Sequence, residues 1–118
     1  MLYFDKATEY YNKKDYKKAL ELYGKSIEMK ENEATAMYNA GVCFIKLKNY
    51  TNAISLIKAA IERKQDSKYY FNLGYCYAML SHNKKALMYF NTAWALDNDD
   101  KECEKAIKIL TDKLKVEK

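Results

Sequence analysis

The chain has 118 residues, 49% hydrophobic and 31% charged, with one histidine, three cysteines and no proline. Its 21 Lys and Arg against 16 Asp and Glu leave +5, but the two signs alternate along the predicted helices, so the one-sign stripe of a nucleic-acid footprint is missing. The longest apolar stretches are broken by Lys or Asn well short of the ~20 residues a membrane-spanning helix needs, and an odd cysteine count without metal spacing fits a reducing cytosol better than a disulfide framework.

With no proline and only three glycines, the chain reads as almost entirely helical. Apolar spacing predicts seven helices, over about 2–13, 16–29, 35–47, 50–63, 67–80, 83–96 and 100–115. Asp15 and Asn49 stand where a short side chain accepts a bond from an unpaired N–H of the second and fourth helices. Asp66 or Ser67 does the same for the fifth, and His82-Asn83 occupy the turn before the sixth. The third helix carries the core stripe Met37, Ala40, Gly41, Phe44 and Leu47. The fourth carries Tyr50, Ala53, Ile54, Ile57, Ala60 and Ile61. The seventh has one apolar face, Cys103, Ala106, Ile107, Leu110 and Leu114, with Lys105, Lys108, Asp112, Lys113 and Glu117 around the rest. Such a helix closes a stack and keeps its outer side wet, and Trp94 is placed against it near Ile107 and Leu110. The first helix has no such cap, which leaves it open to contact with a second copy or the remainder of a longer parent protein.

The helices repeat in pairs. Tyr16, Ala19, Tyr23 and Ser26 shift by 34 residues onto Tyr50, Ala53, Ile57 and Ala60, then by 33 onto Asn83, Ala86, Phe90 and Ala93. Tyr3, Ala7 and Tyr10 move likewise onto Met37, Gly41 and Phe44, and onto Tyr70, Gly74 and Tyr77. Repeats are thus expected at about 1–33, 34–66 and 67–100 in one domain spanning 1–118, closed by a helix over about 100–115. Glycine inside a helix costs about 1 kcal/mol against alanine. Gly41 and Gly74 therefore imply a close approach by the paired helix, whereas Gly24 has no counterpart in the other repeats.

This pattern resembles the tetratricopeptide family. Tyr70, Leu73-Gly74, Tyr77, Ala86, Phe90 and Ala93 follow its large residue, Leu-Gly pair, aromatic, alanine, aromatic and alanine. The second repeat follows closely; in the first, Lys6-Ala7 replaces Leu-Gly and Ser26 replaces the last alanine. Where the family closes a repeat with proline, this chain has Glu31, Gln65 and Asn98. The resemblance implies an all-α, right-handed superhelical stack of three repeats plus a C-terminal capping helix. It also implies a concave groove lined by first helices, which binds a peptide or protein segment in the manner of a scaffold, adaptor or co-chaperone.

A second band runs beside the core stripe on each first helix. Phe4, Tyr38 and Phe71 hold equivalent places, Thr8, Val42 and Tyr75 follow one turn on, and Tyr11, Ile45 and Met79 extend it. Exposed aromatic surface of this kind marks an interaction site, unless the rings merely pack between neighbouring helices. Asn39 and Asn72 flank the band, and an amide pairs either with the backbone of an extended ligand or across helices. Lys46 and Lys68 would attract acidic side chains. Family members that grip the C-terminal carboxylate of heat-shock chaperones use a five-residue basic clamp. Asn39 and Lys68 match it, but Phe4, Thr8 and Asn72 replace a lysine, an asparagine and an arginine, which argues against that use.

Other chemistry finds little support. Cys43 and Cys76, 33 apart, read as small buried hydrophobes, Cys103 as part of the cap, and His82 as a solvated turn residue. No zinc ligand set is assembled. Asp97-Asn98-Asp99-Asp100 fails as a calcium loop, since Glu102 and Lys108 stand where Gly and a bidentate Glu are needed. No catalytic constellation or cofactor motif is present, so the expectation is a non-catalytic, cytoplasmic module without metal or cofactor. Two alternatives remain open: a helical-repeat RNA binder stacking bases on the aromatic band, and a purely structural segment of a larger protein.

Overall fold

The computed structural model describes residues 2–116. They form seven helices: α1 Tyr3–Asn12, α2 Tyr16–Glu28, α3 Glu33–Lys46, α4 Tyr50–Arg63, α5 Ser67–Met79, α6 Asn83–Leu96 and α7 Lys101–Val116. The chain separates into two compact units, Met1–Lys64 and Gln65–Lys118. Unit 1 packs α1 on α2, α2 on α3 and α3 on α4; unit 2 packs α5 on α6 and α6 on α7.

The turn inside each helix pair is built the same way three times. Lys14, Lys48 and Ser81 adopt left-handed backbone, with φ of 65°, 62° and 63°. The next N–H reaches back to the helix: Asp15 N to Tyr10 O at 2.9 Å, Asn49 N to Phe44 O at 2.8 Å and His82 N to Tyr77 O at 2.9 Å. This is the helix ending that glycine usually supplies, made here with lysine and serine. The next helix then starts on Asp15, which accepts from Lys18 N at 3.1 Å, and on Asn49, which accepts from Asn52 N at 3.2 Å. His82 gives α6 no side-chain cap. Asp66 caps α5 through Lys68 N at 2.8 Å. Asp100 opens α7 by accepting from Glu102 N and Cys103 N.

Connections between pairs explain two departures from the family pattern. Ser26, fully buried, donates its hydroxyl to Glu31 O at 2.6 Å and holds the link from α2 to α3. The Glu31 carboxylate in turn accepts from Phe4 N at 3.3 Å, placing an anion at the start of α1. In unit 2, Gln65 accepts from the Tyr70 hydroxyl at 2.6 Å. Polar side chains thus take over stops that a proline would otherwise make.

Each unit has its own core. In unit 1 Ala7, Ala19, Leu22, Tyr23, Ala36, Ala40 and Cys43 are buried together. Small alanines let the helices approach, and Gly41 goes further: a Cβ there would meet Ile57 Cγ1 at 2.7 Å. In unit 2 a Cβ on Gly74 would meet Phe90 Cδ1 at 2.8 Å and Cε1 at 2.9 Å. Both glycines are required by the paired helix, whereas a Cβ on Gly24 would meet nothing within 4 Å. Cys103 is buried and donates to Phe90 O at 3.1 Å, fixing α7 on α6 together with Leu110. Trp94 is half-buried on α6, and Glu117 lies outside the described residues.

Two expectations need correction. Leu47 is not core: it lies one residue beyond α3, at the start of the left-handed turn, and is 38% exposed. In α5 the buried tyrosine at the helix start is Tyr69, while Tyr70 stays half-buried, its ring 6.4 Å from Tyr89 and its hydroxyl on Gln65. Ala36 and Tyr69, equivalent by the 33-residue shift, are core residues that the apolar stripe passed over.

Candidate functional site

The band on the first helices is described unit by unit. In unit 1 it centres on Tyr23, a second-helix residue that is only 1% exposed. Phe4 lies edge-on to its ring, 5.7 Å between centroids. The Tyr23 hydroxyl sits 2.9 Å from Thr8 Oγ1 and accepts from Asn39 Nδ2 at 3.3 Å. Thr8 Oγ1 also donates to Phe4 O at 3.1 Å. One hydroxyl from α2 therefore joins α1 and α3 at the band. Burial pushes the Tyr23 phenol above its ordinary pKa, so it keeps its proton at neutral pH; the bonds from Thr8 and Asn39 oppose the shift without cancelling it.

Further along, Tyr11 packs edge-on to Tyr16 at 5.5 Å, and burial raises its phenol too. Tyr38, Val42 and Ile45 are half-buried along α3, and Lys46 is exposed at its end. In unit 2 Phe71 is half-buried, 5.2 Å from Phe90. Tyr75 and Met79, four residues on from one another, stand 37% and 48% exposed on the same face of α5. Asn72 donates to Lys68 O at 3.1 Å within its own helix, and the Lys68 side chain is exposed.

The band is thus part core and part surface. Phe4 and Phe71 lean on second-helix rings, while Tyr75, Met79, Lys46 and Lys68 are open to solvent. Of the two asparagines, Asn39 bonds across helices to Tyr23, and Asn72 bonds to a carbonyl of its own helix. Sequence reasoning missed Tyr23 as the polar centre. The available signal was its hydroxyl at a place where the other repeats carry Ile57 and Phe90.

Two clefts lie elsewhere in unit 2. One of about 330 Å³ is lined by Ser81, His82, Asn83, Lys84, Lys85 and Leu114, the other of about 190 Å³ by Lys101, Glu104, Lys105 and Lys108. Neither is lined by a band residue. Among the described residues no group of three or more His, Cys, Asp or Glu is placed to hold a metal ion. No helix there is long and apolar enough to cross a membrane. Burial pushes the Cys43 and Cys76 thiols up to about 12, which makes them poor nucleophiles at neutral pH.

Tetratricopeptide repeat models match residues 4–68 and 67–100. The chain belongs to the tetratricopeptide repeat family. Its fold is an all-α tetratricopeptide helical-repeat stack. It is 29% identical over 86 residues to the Hsp70-Hsp90 organising protein of Plasmodium falciparum, covering 73% of this chain but only 14% of that protein. The first tetratricopeptide domain of Spaghetti (RPAP3), bound to the HSP90 peptide SRMEEVD, superposes with a TM-score of 0.90 at 18% identity, covering 95% of this chain and 90% of that one. The second such domain of human RPAP3, in complex with the HSP70 peptide SGPTIEEVD, gives 0.87 at 20% identity, with 93% and 92% covered. At such identities these likenesses speak to fold.

Proposed function

We propose that this tetratricopeptide chain is a non-catalytic module that holds an extended peptide or protein segment against the first-helix faces of its repeats, as an adaptor or co-chaperone does. The observation that carries this reading is the part-exposed aromatic and apolar band, most open at Tyr75 and Met79. Tyr and Met suit such a surface because they offer large apolar area, with a polar tip or a flexible thioether. Asn39 serves ligand backbone, and Lys46 and Lys68 serve acidic side chains. The chaperone peptides held by the RPAP3 domains, and the likeness to a chaperone-organising protein, support this class of ligand. A compartment that keeps the three buried thiols reduced, such as the cytoplasm, suits the module.

The test pairs stability with binding. Peptides enriched from a random display library on the wild-type chain serve as probes in calorimetry. Tyr38→Ala/Phe71→Ala is expected to stay folded and to bind them more weakly by about a hundredfold or more, since interface aromatics often cost about 2 kcal/mol or more each when truncated. Unfolding of the double variant would make the band core. Unchanged affinity in a folded variant would move the binding surface elsewhere.

A further inference from the structure

Charges that alternate along the sequence separate in space once unit 1 folds. Its three links, residues 13–15, 29–32 and 47–49, are short, and α1 packs on α2, α2 on α3 and α3 on α4. Successive helices therefore run in opposite directions, which brings the α1–α2 and α3–α4 turns to one end of the unit. Two helix spacings, at most about 20 Å, lie between them. Residues 12–18 and 46–52 make up this end, where Lys13, Lys14, Lys17, Lys18, Lys46 and Lys48 stand against Asp15 alone. The Asp15 carboxylate caps α2 on Lys18 N at 3.1 Å, and Lys18 meets Glu21 at 3.5 Å. The other five lysines are exposed. The opposite end is mixed in sign: Arg63 is held on Glu33 at 3.0 Å, with Glu28 and Glu62 beside Lys30 and Lys64 in the sequence. At the basic end Leu47, between Lys46 and Lys48, is 38% exposed at the tip of its turn.

We infer that this end of unit 1 docks on an anionic lipid surface, with its lysines among the headgroups and Leu47 at the acyl boundary. A cluster of basic residues is drawn to the negative cytoplasmic leaflet, and an apolar side chain beside it adds a second anchor. The make-up of the end selects lipid over other polyanions. Every base is a lysine, a hydrated point charge suited to diffuse attraction, whereas nucleic acids and paired carboxylates favour the arginine fork. A nucleic acid strand would also need open rings for stacking. Here Tyr11 lies edge-on to Tyr16 at 5.5 Å, and Lys13 Nζ covers the Tyr10 ring at 5.5 Å. The apolar group offered at the α3–α4 turn is aliphatic, which suits hydrocarbon.

The test is co-sedimentation with vesicles of phosphatidylcholine, with and without about one-third phosphatidylserine, beside poly(U) RNA as a rival polyanion. The chain is expected to bind the anionic vesicles alone and to leave them as salt rises from ~0.05 M to ~0.5 M. Lys13→Glu/Lys17→Glu/Lys48→Glu should weaken binding by about a hundredfold or more. Lys46 is left unaltered because the groove reading uses it. Leu47→Ser, which keeps every charge, should weaken vesicle binding by about fivefold. Should the triple variant fail to fold, the salt series and Leu47→Ser decide. Absence of binding to anionic vesicles, or equal binding to neutral ones, overturns the inference. So does a folded triple variant that binds as the wild type does. Tighter binding to poly(U) than to vesicles, or indifference to Leu47→Ser, would make the end a general polyanion surface and overturn the lipid assignment.

Discussion

Behind the first-helix band of unit 1 stands Tyr23, and at the equivalent place in unit 2 stands Phe90. Both rings pack against a band phenylalanine, Phe4 at 5.7 Å and Phe71 at 5.2 Å. Only Tyr23 has an oxygen, and the surroundings differ accordingly. In unit 1 the hydroxyl gathers Thr8 and Asn39 from two helices; in unit 2 Asn72 turns to Lys68 O in its own helix. The same repeat frame thus places a hydroxyl-bearing ring behind the band in one copy and a phenyl ring in the other. Unit 2 carries more buried aromatic rings on its first helix: Tyr77 stacks on Tyr89 at 5.4 Å, and Tyr69 is buried as well. A repeat fixes where side chains stand, and the chemistry at each place remains free to vary.

The largest separation of the units should come from removing residues 101–118. In unit 2 α7 packs on α6, and its loss uncovers the surface that Cys103 and Leu110 bury. The truncated chain is expected to aggregate or to melt several degrees lower. Residue-resolved hydrogen exchange should show protection falling first in α5 and α6. Equal loss in α1–α4, or an unchanged monomer, would show that α7 is no cap for unit 2 in particular.

How much of this was legible depended on what periodicity encodes. Spacing alone placed seven helices, each within two residues at either end, because apolar stripes and caps such as Asp15 and Asn49 are local signals. Gly41 and Gly74 were readable as close approaches because a costly residue recurred in register. The Tyr23 network was not readable, since it joins three helices through a group that only one repeat possesses. Nor were the three left-handed turns, because lysine and serine carry no local signal for positive φ. Tyr69 was hidden by its neighbour Tyr70: two adjacent identical residues leave the helical phase undecided until packing selects one.

The two close-approach glycines provide the next comparison. Gly41→Ala pushes on Ile57, an aliphatic chain that can rotate aside, though Ala53 O stands at 3.3 Å. Gly74→Ala pushes on two atoms of the Phe90 ring, which is planar, buried and backed by Phe71. Alanine returns about 1 kcal/mol of helix propensity in each case, against an overpacking cost of about 1–3 kcal/mol. Gly74→Ala should therefore destabilise by about 1–2 kcal/mol, and Gly41→Ala by less. Denaturant titration decides, and the reverse order would mean that the unit 1 interface is the stiffer.

Alkaline pH distinguishes the units by a smaller margin. Burial raises Cys43, Tyr23 and Tyr11 in unit 1, and Cys76 and Cys103 in unit 2. These groups are neutral when protonated, so the unfolded chain ionises first, thiols near their ordinary 9.0 and phenols near 10.0. Stability is full below those values and falls as pH rises toward the folded values, about 12 for Cys43 and Cys76. Both units should lose stability above pH ~9, unit 2 first through its two thiols, and unit 1 the more steeply above pH ~10, where its two phenols add to its thiol. Alanine methyl NMR can follow Ala7 and Ala19 beside Ala86 and Ala93. Tyr23→Phe should reduce the loss in unit 1 above pH ~10, and a steeper loss in unit 2 over that range would contradict the burial assigned to the phenols.

The smallest effect should be the one the units share. Lys48 in unit 1 and Ser81 in unit 2 end their helices with φ of 62° and 63°. Left-handed backbone costs a residue with a Cβ roughly 1–2 kcal/mol, a penalty glycine escapes. Against that, glycine gives the unfolded chain more freedom, worth about 0.4–1 kcal/mol. Lys48→Gly and Ser81→Gly should therefore each stabilise by about half a kcal/mol to 1 kcal/mol, and by the same amount within error. The equality is the informative part. The turns reuse one backbone geometry and the same back-bond from the residue after the left-handed one, at 2.8 Å and 2.9 Å. Side chains differ between the units, but a backbone device should not register the difference. Stabilisation confined to one turn, measured by thermal melts of the two single variants, would mean that the Lys48 or Ser81 side chain contributes something its backbone conformation does not reveal.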